Sequence, residues 1–200
     1  VVVVNQSSSN SCELGNYICE RRSVPPENVL RIYWPGTNTA WTSNDFQTVL
    51  LTPLLDMLAA RQLTNQIDYV VLSMDIPFQT SFGSVINGTT SALFYGLKSA
   101  SGIENSYAAS EAIFHQAKPA TAPGFSFLTT MITAGSLAQA KQLVDQGVDS
   151  DGKHPSQPVV LAKSSDTARN LRHTYFDNAI FNVKVRAVSS ILRTNSDSLG

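Results

Sequence analysis

Along most of the chain, apolar runs alternate with segments of helical period. Val1-Val2-Val3-Val4-Asn5 shows no period-two alternation and predicts a strand buried on both faces, as strands of a parallel sheet are. A polar loop, Gln6 to Ser11, leads into a predicted helix over residues 11 to 22, with Ser11 as candidate cap and Leu14, Tyr17 and Ile18 on one face. Val24-Pro25-Pro26 ends it, and Asn28 to Trp34 predicts the second strand, closed by Pro35-Gly36. Ser43, Asn44 and Asp45 offer caps for a helix whose apolar positions Phe46, Val49, Leu50, Leu54, Met57 and Leu58 keep their period across Pro53. A kinked helix or two abutting helices, the second capped by Thr52, would reconcile that register with the proline. Asp68 to Met74 predicts the third strand, ending at Asp75-Ile76-Pro77.

From Phe78 to Gly124 the period weakens. Two short helix-like pieces, at Thr90 to Leu97 and Ala108 to Ala117, stand among small and polar residues, so an insert over about 78–124 is expected. Regularity returns with a strand over Phe125 to Thr130 and a helix over Ser136 to Gln146, with Leu137, Ala140, Leu143 and Val144 inward and Gly147 as its stop. Val159 to Ala162 predicts a strand, Asp166 can cap a following helix, and Ile180 to Val188 predicts a further strand. Strands alternating with helices make βαβ units. The expected fold is therefore α/β, a three-layer sandwich around a mainly parallel sheet of flavodoxin-like or caspase-like order, with residues 1–200 as one domain. Short right-handed crossovers place strand one between strands two and three.

Composition adds mostly exclusions. With 14 Lys+Arg against 15 Asp+Glu the net charge is -1, which supplies no basic surface for nucleic-acid phosphates. At 42% hydrophobic residues the chain can bury a core. Its longest purely apolar runs, Val1 to Val4 and Tyr69 to Leu72, fall far short of the roughly 20 residues that span a bilayer. The N-terminal Val run carries no basic n-region, so localisation cannot be read from it. Cys12 and Cys19 lie on one predicted helix about 10 Å apart along its axis, beyond the reach of a disulfide, and are expected as free thiols.

Ligands of an open parallel sheet bind beyond the carboxyl ends of its strands, where loops and helix N-termini converge. By that rule the candidate ligand-binding residues are Asn5, Ser7 and Ser9, with Ser8 between them, after strand one; Asp75 after strand three; and Lys163 and Asp166, with Ser164, after the strand at 159–162. Thr130 and Thr133 follow the strand between. Ser and Asp in such loops also serve simply as helix caps and turn formers. No G-x-S-x-G elbow, G-x-x-x-x-G-K-[ST] loop or G-x-G-x-x-G fingerprint occurs, and His115, His154 and His173 follow no strand directly. Asp145, Asp149 and Asp151 run into Lys153 and Pro155 instead of completing a calcium loop, so neither metal nor cofactor is expected.

Three stretches together resemble a bacterial family of unestablished activity, found in species that carry exosortase and its PEP-CTERM sorting system. The first is Val4-Asn5 with Ser11, Tyr17, Glu20-Arg21-Arg22 and Val24-Pro25-Pro26-Glu27-Asn28-Val29. The second is Asp68-Tyr69-Val70-Val71-Leu72-Ser73 running into Ile76-Pro77. The third is Ala140 to Gly152 with Val160 to Asp166, Arg169-Asn170 and Phe176-Asp177-Asn178. Members of that family continue into a Gly-rich C-terminal half, so the resemblance implies that residues 1–200 are the N-terminal part of a longer protein. The expected partners are that missing half or a second copy of the chain.

The resemblance implies an exported or cell-surface protein, periplasmic, surface-bound or extracellular, acting in surface display or extracellular-matrix assembly. A caspase-like peptidase would carry His after the third strand and Cys after the fourth. Asp75 and the stretch Thr130 to Thr133 stand there instead, so this segment lacks that dyad. Two alternatives stay open. One is a hydrolase-like enzyme using Asp75, helped by Lys163 or Asp166, at the carboxyl edge. The other is a carbohydrate or small-ligand binding module using the faces of Trp34, Trp41, Tyr33 and Phe78.

Overall fold

The computed structural model describes residues 1–97, 127–153, 159–163 and 191–195. The chain forms two compact units, Val1–Asp149 and Ser150–Gly200. The predicted helices at 108–117 and after Asp166, the strand at 180–188 and Asp166 itself lie outside the described residues.

The first unit is built on four parallel strands: β1 (Val2–Asn5), β2 (Val29–Ile32), β4 (Tyr69–Leu72) and β7 (Leu128–Met131), in the order β2-β1-β4-β7. β1 is central, with Val2 opposite Val29 on one side and Val71 on the other. This is a mainly parallel α/β sheet, and both faces of β1 are dry. Val2 and Val4 pack with Leu14 and Ile18 of α1 (Ser9–Arg22) and with Ala140 and Val144 of α5 (Leu137–Asp149). Val3 points the other way, into a larger cluster with Phe46, Leu54, Leu58, Val70 and Leu72. Gly15 lets α1 lie close on the sheet, since a Cβ there would come within 2.0 Å of Val4 Cγ1.

Several boundaries differ from expectation for identifiable reasons. α1 starts earlier than predicted, because Ser8 caps it by accepting the Ser11 N–H at 3.0 Å, while Ser11 is buried inside the first turn. The helical run after β3 (Ala40–Thr42) begins at α2 (Ser43–Asp45), with Thr42 and Asp45 forming a capping box. It passes through a π-helical segment, Phe46–Leu51, into α3 (Thr52–Ala60). Thr52 does not cap the second helix. It is helical itself and donates its N–H to the Gln47 carbonyl, a π-type bond placed just before Pro53, which has no N–H to give. The apolar register therefore continues across the proline without a break. In α5, Ala140 and Val144 are buried, but Leu143 is exposed, and the helix runs past Gly147 to Asp149.

The weakly patterned stretch begins with regular structure that periodicity did not show. β5 (Gln79–Phe82) and β6 (Val85–Gly88) form an antiparallel hairpin, and β5 pairs in parallel with β3 to make a second, three-stranded sheet. The hairpin's buried positions, Thr80 and Asn87, are polar, and beside them the Thr89 hydroxyl, at the start of α4 (Thr89–Tyr95), donates to the Pro77 carbonyl at 2.8 Å and lies 3.4 Å from Thr80 Oγ1. Trp41, 1% exposed, donates its indole N–H to both Pro77 O and Thr89 Oγ1 at 3.1 Å. The small sheet thus clamps the turn that leaves β4.

In the second unit, β8 (Val159–Lys163) and β9 (Ile191–Asn195) pair in parallel. No described helix is long and apolar enough to cross a membrane. The described residues hold no cluster of three or more His, Cys, Asp or Glu able to bind a metal ion. Cys12 and Cys19 are free thiols, and burial pushes the Cys19 thiol up, so it packs as a small protonated hydrophobe.

Candidate functional site

All four strands of the main sheet deliver a loop to one cleft of about 530 Å³ at its carboxyl edge. β1 contributes Asn5, Ser7 and Ser8, and β2 contributes Trp34 and the Pro35 to Thr39 loop. Asp75 to Phe78 come from the end of β4, and Met131 and Thr133 from β7. The chain moves outward from β1 to β2 and then crosses to β4 on the other side, so the cleft lies where the strand order reverses. At such a point neighbouring loops diverge and leave a crevice.

Asn5 builds the wall. It is 2% exposed, and its Nδ2 donates to Trp34 O at 3.0 Å and Asp75 O at 2.9 Å. Its Oδ1 accepts from Trp34 N and Ser7 Oγ at 2.9 Å and from Ser7 N at 3.2 Å. One amide therefore ties together the ends of β1, β2 and β4, and both of its N–H donors are engaged by protein carbonyls. The Ser7 hydroxyl makes a further short bond to the Trp34 carbonyl. Behind this wall, buried Ser11 accepts the Asn5 N–H at 2.9 Å, and Ser73 donates to the Ser11 carbonyl at 2.8 Å.

Asp75 sits at the cleft mouth, exposed, with φ +56°. That left-handed conformation is disfavoured for most L-residues and tolerated best by Gly, Asn and Asp. It turns the chain sharply out of β4 so that Ile76 and Pro77 re-enter the core. Its carboxylate Oδ2 accepts a 2.5 Å bond from Ser8 Oγ, the same hydroxyl that caps α1. A carboxylate at the N-terminus of a helix meets the positive end of the helix dipole. Among the described residues, Asp75 is the only charged one lining the cleft.

Trp34 and Phe78 supply the apolar surface. Phe78 is half exposed, and Trp34 packs against Trp41 with ring centroids 5.1 Å apart. Gly36 lies directly on the Trp34 indole, where a Cβ would come within 2.8 Å of Cζ2. Beneath that loop, Trp34 Nε1 is buried and has no hydrogen-bond partner among the described residues.

Of the residues singled out from sequence, Asn5, Ser7 and Asp75 come together here, and Thr133 joins them. Ser9 is exposed on the first turn of α1 and does not line the cleft. Lys163 ends β8 in the second unit. Two of the proposed stacking aromatics are elsewhere: Trp41 is core, and exposed Tyr33 does not line the cleft. Sequence reasoning missed the Pro35 to Thr39 loop and Met131. The carboxyl-end rule, applied to β2 as it was to β1, would have found that loop. Comparison with known protein families, curated proteins and solved structures gives no match.

Proposed function

We propose that the protein is an exported α/β module that binds a small ligand in the carboxyl-edge cleft, serving surface display or extracellular-matrix assembly as the exosortase resemblance implies. The observation that carries the binding role is the convergence of four strand ends on one polar-and-aromatic crevice at the reversal of strand order. The order of the main sheet, second-first-third-fourth along the chain, supports the flavodoxin-like or caspase-like reading of the fold. The export role rests on the sequence resemblance. A fragment screen by amide NMR tests the binding role: perturbations should gather at residues 5–8, 34–39 and 75–78, and hits confined to other surfaces reject it. Recovery of the native protein from the cytosol would reject the export role.

A second reading, a hydrolase-like enzyme using Asp75, is favoured by the left-handed backbone at that residue and its short bond to Ser8. Binding is preferred because the Ser8 hydroxyl is engaged as donor to Asp75 and as cap of α1. Among the described cleft-lining residues no His or Lys stands ready to activate it. Loss of a hydrolytic activity in Asp75→Asn at unchanged binding would reverse that preference.

A further inference from the structure

Given a ligand-binding cleft at the carboxyl edge, on which this step rests, we infer that its ligand is an uncharged, hydroxyl-rich molecule of saccharide type, held by the Trp34 indole N–H and the Asp75 carboxylate. Charge narrows the choice first. Asp75 is the only charged lining residue among those described, and it stands at the N-terminus of α1, where an anionic group would otherwise be drawn. The helix end already has its counter-charge, so a phosphate or carboxylate on the ligand meets a like charge and no Lys or Arg among the described lining residues. A single exposed carboxylate with one oxygen held by Ser8 suits hydroxyl donors.

The rest of the lining fits the same class. Ser7, Thr37, Asn38, Thr39 and Thr133 line it with neutral hydroxyl and amide side chains, while half-exposed Phe78 offers an apolar face for the C–H side of a sugar ring. The indole N–H of Trp34 is a donor only, and it lies buried without a partner among the described residues. Orphan buried donors are rare in folded proteins and call for an explanation. Gly36 holds the Pro35 to Thr39 loop against the indole. All five residues of that loop are exposed, so a small outward shift uncovers the N–H to a ligand oxygen.

The test is an NMR titration following the Trp34 indole ¹H–¹⁵N resonance and the backbone amides. Its probes are neutral mono- to trisaccharides, each paired with its phosphorylated, uronic-acid or amino-sugar counterpart. A neutral saccharide should move the Trp34 indole signal together with amides of residues 5–8 and 75–78, and its anionic counterpart should bind at least about tenfold more weakly. Trp34→Phe keeps a ring but loses the donor and should weaken binding about tenfold. Asp75→Asn changes an exposed group with little risk to folding. It should weaken neutral saccharides and narrow the gap to their anionic counterparts. Tighter binding of an anionic or amino sugar at these amides, or fragments that bind there while no saccharide does, overturns the ligand class and leaves the cleft intact. Absence of any perturbation at these amides, with saccharides and fragments alike, overturns the cleft reading as well.

Discussion

Val2–Val4 and Asn5–Ser8 are consecutive in the chain, yet different physics holds them. The three valines are buried among apolar side chains on both faces of the sheet, and their contribution scales with area removed from water and tolerates small shifts. At Asn5 the partners become Trp34, Ser7 and Asp75, all polar contacts of fixed direction. The body of the sheet is stabilised in bulk, whereas its carboxyl edge is stabilised atom by atom. A cleft can persist at that edge because its walls are tied by hydrogen bonds that do not require the space between them to be filled.

The contrast is broken most directly from the body side. Leu14, fully buried between α1 and the sheet, should lose about 2–5 kcal/mol on Leu14→Ala, read as a lower urea midpoint at unchanged slope. A loss below about 1 kcal/mol would mean that this interface is not close-packed. At the edge, Asn5→Ala leaves the Trp34 backbone N–H and the Asp75 carbonyl without their Asn5 partner and should lose about 2–3 kcal/mol. Its distinguishing mark is local: amides of residues 34–39 and 75–78 should shift while those of α5 hold. Uniform broadening across the spectrum would show that edge and body are not separable.

Ser8→Ala removes a helix cap and the donor to Asp75, with an expected loss of about 1 kcal/mol and faster amide exchange confined to the first turn of α1. The smallest effect belongs to a polar tie on the far side of the body. The Tyr17 hydroxyl donates to both Asp145 oxygens, at 2.7 and 2.8 Å, and Arg21 meets the same carboxylate at 2.7 Å. This bond to Asp145 holds the Tyr17 phenol above the ordinary tyrosine range. Because the folded value is raised, the tie is complete at neutral pH and fades as pH climbs past about 10 and through that raised value. Tyr17→Phe should leave neutral stability nearly unchanged, since it keeps the half-buried ring and gives up only a bond to a partly exposed, solvent-screened carboxylate. Difference titration against wild type should show the missing tyrosinate signal above the usual range, and a signal at or below it would show that the Asp145 bond does not persist in solution.

The alternation of apolar runs and helical periods was enough to determine the main sheet. Val1 to Val4 and Tyr69 to Leu72 are apolar without alternation, a pattern stable only where both faces are covered, and short right-handed crossovers then put β1 in the middle. The carboxyl-end rule likewise assigns Asn5, Ser7 and Asp75 to one edge, where they line the cleft together. Periodicity was silent on the second sheet, because Gln79–Phe82 and Val85–Gly88 bury Thr80 and Asn87 where a pattern reader looks for apolar residues. Polar positions can be buried there because side-chain hydrogen bonds such as those among Trp41, Pro77 and Thr89 satisfy that interior, and such partners are far apart in the chain. Hydrophobic burial depends on residue type and period, which a sequence displays. Hydrogen-bond partnership depends on where two distant residues meet, so only the tertiary structure could decide that Asn5 is a wall, that Trp41 is core, and that the Trp34 indole N–H is without a partner among the described residues.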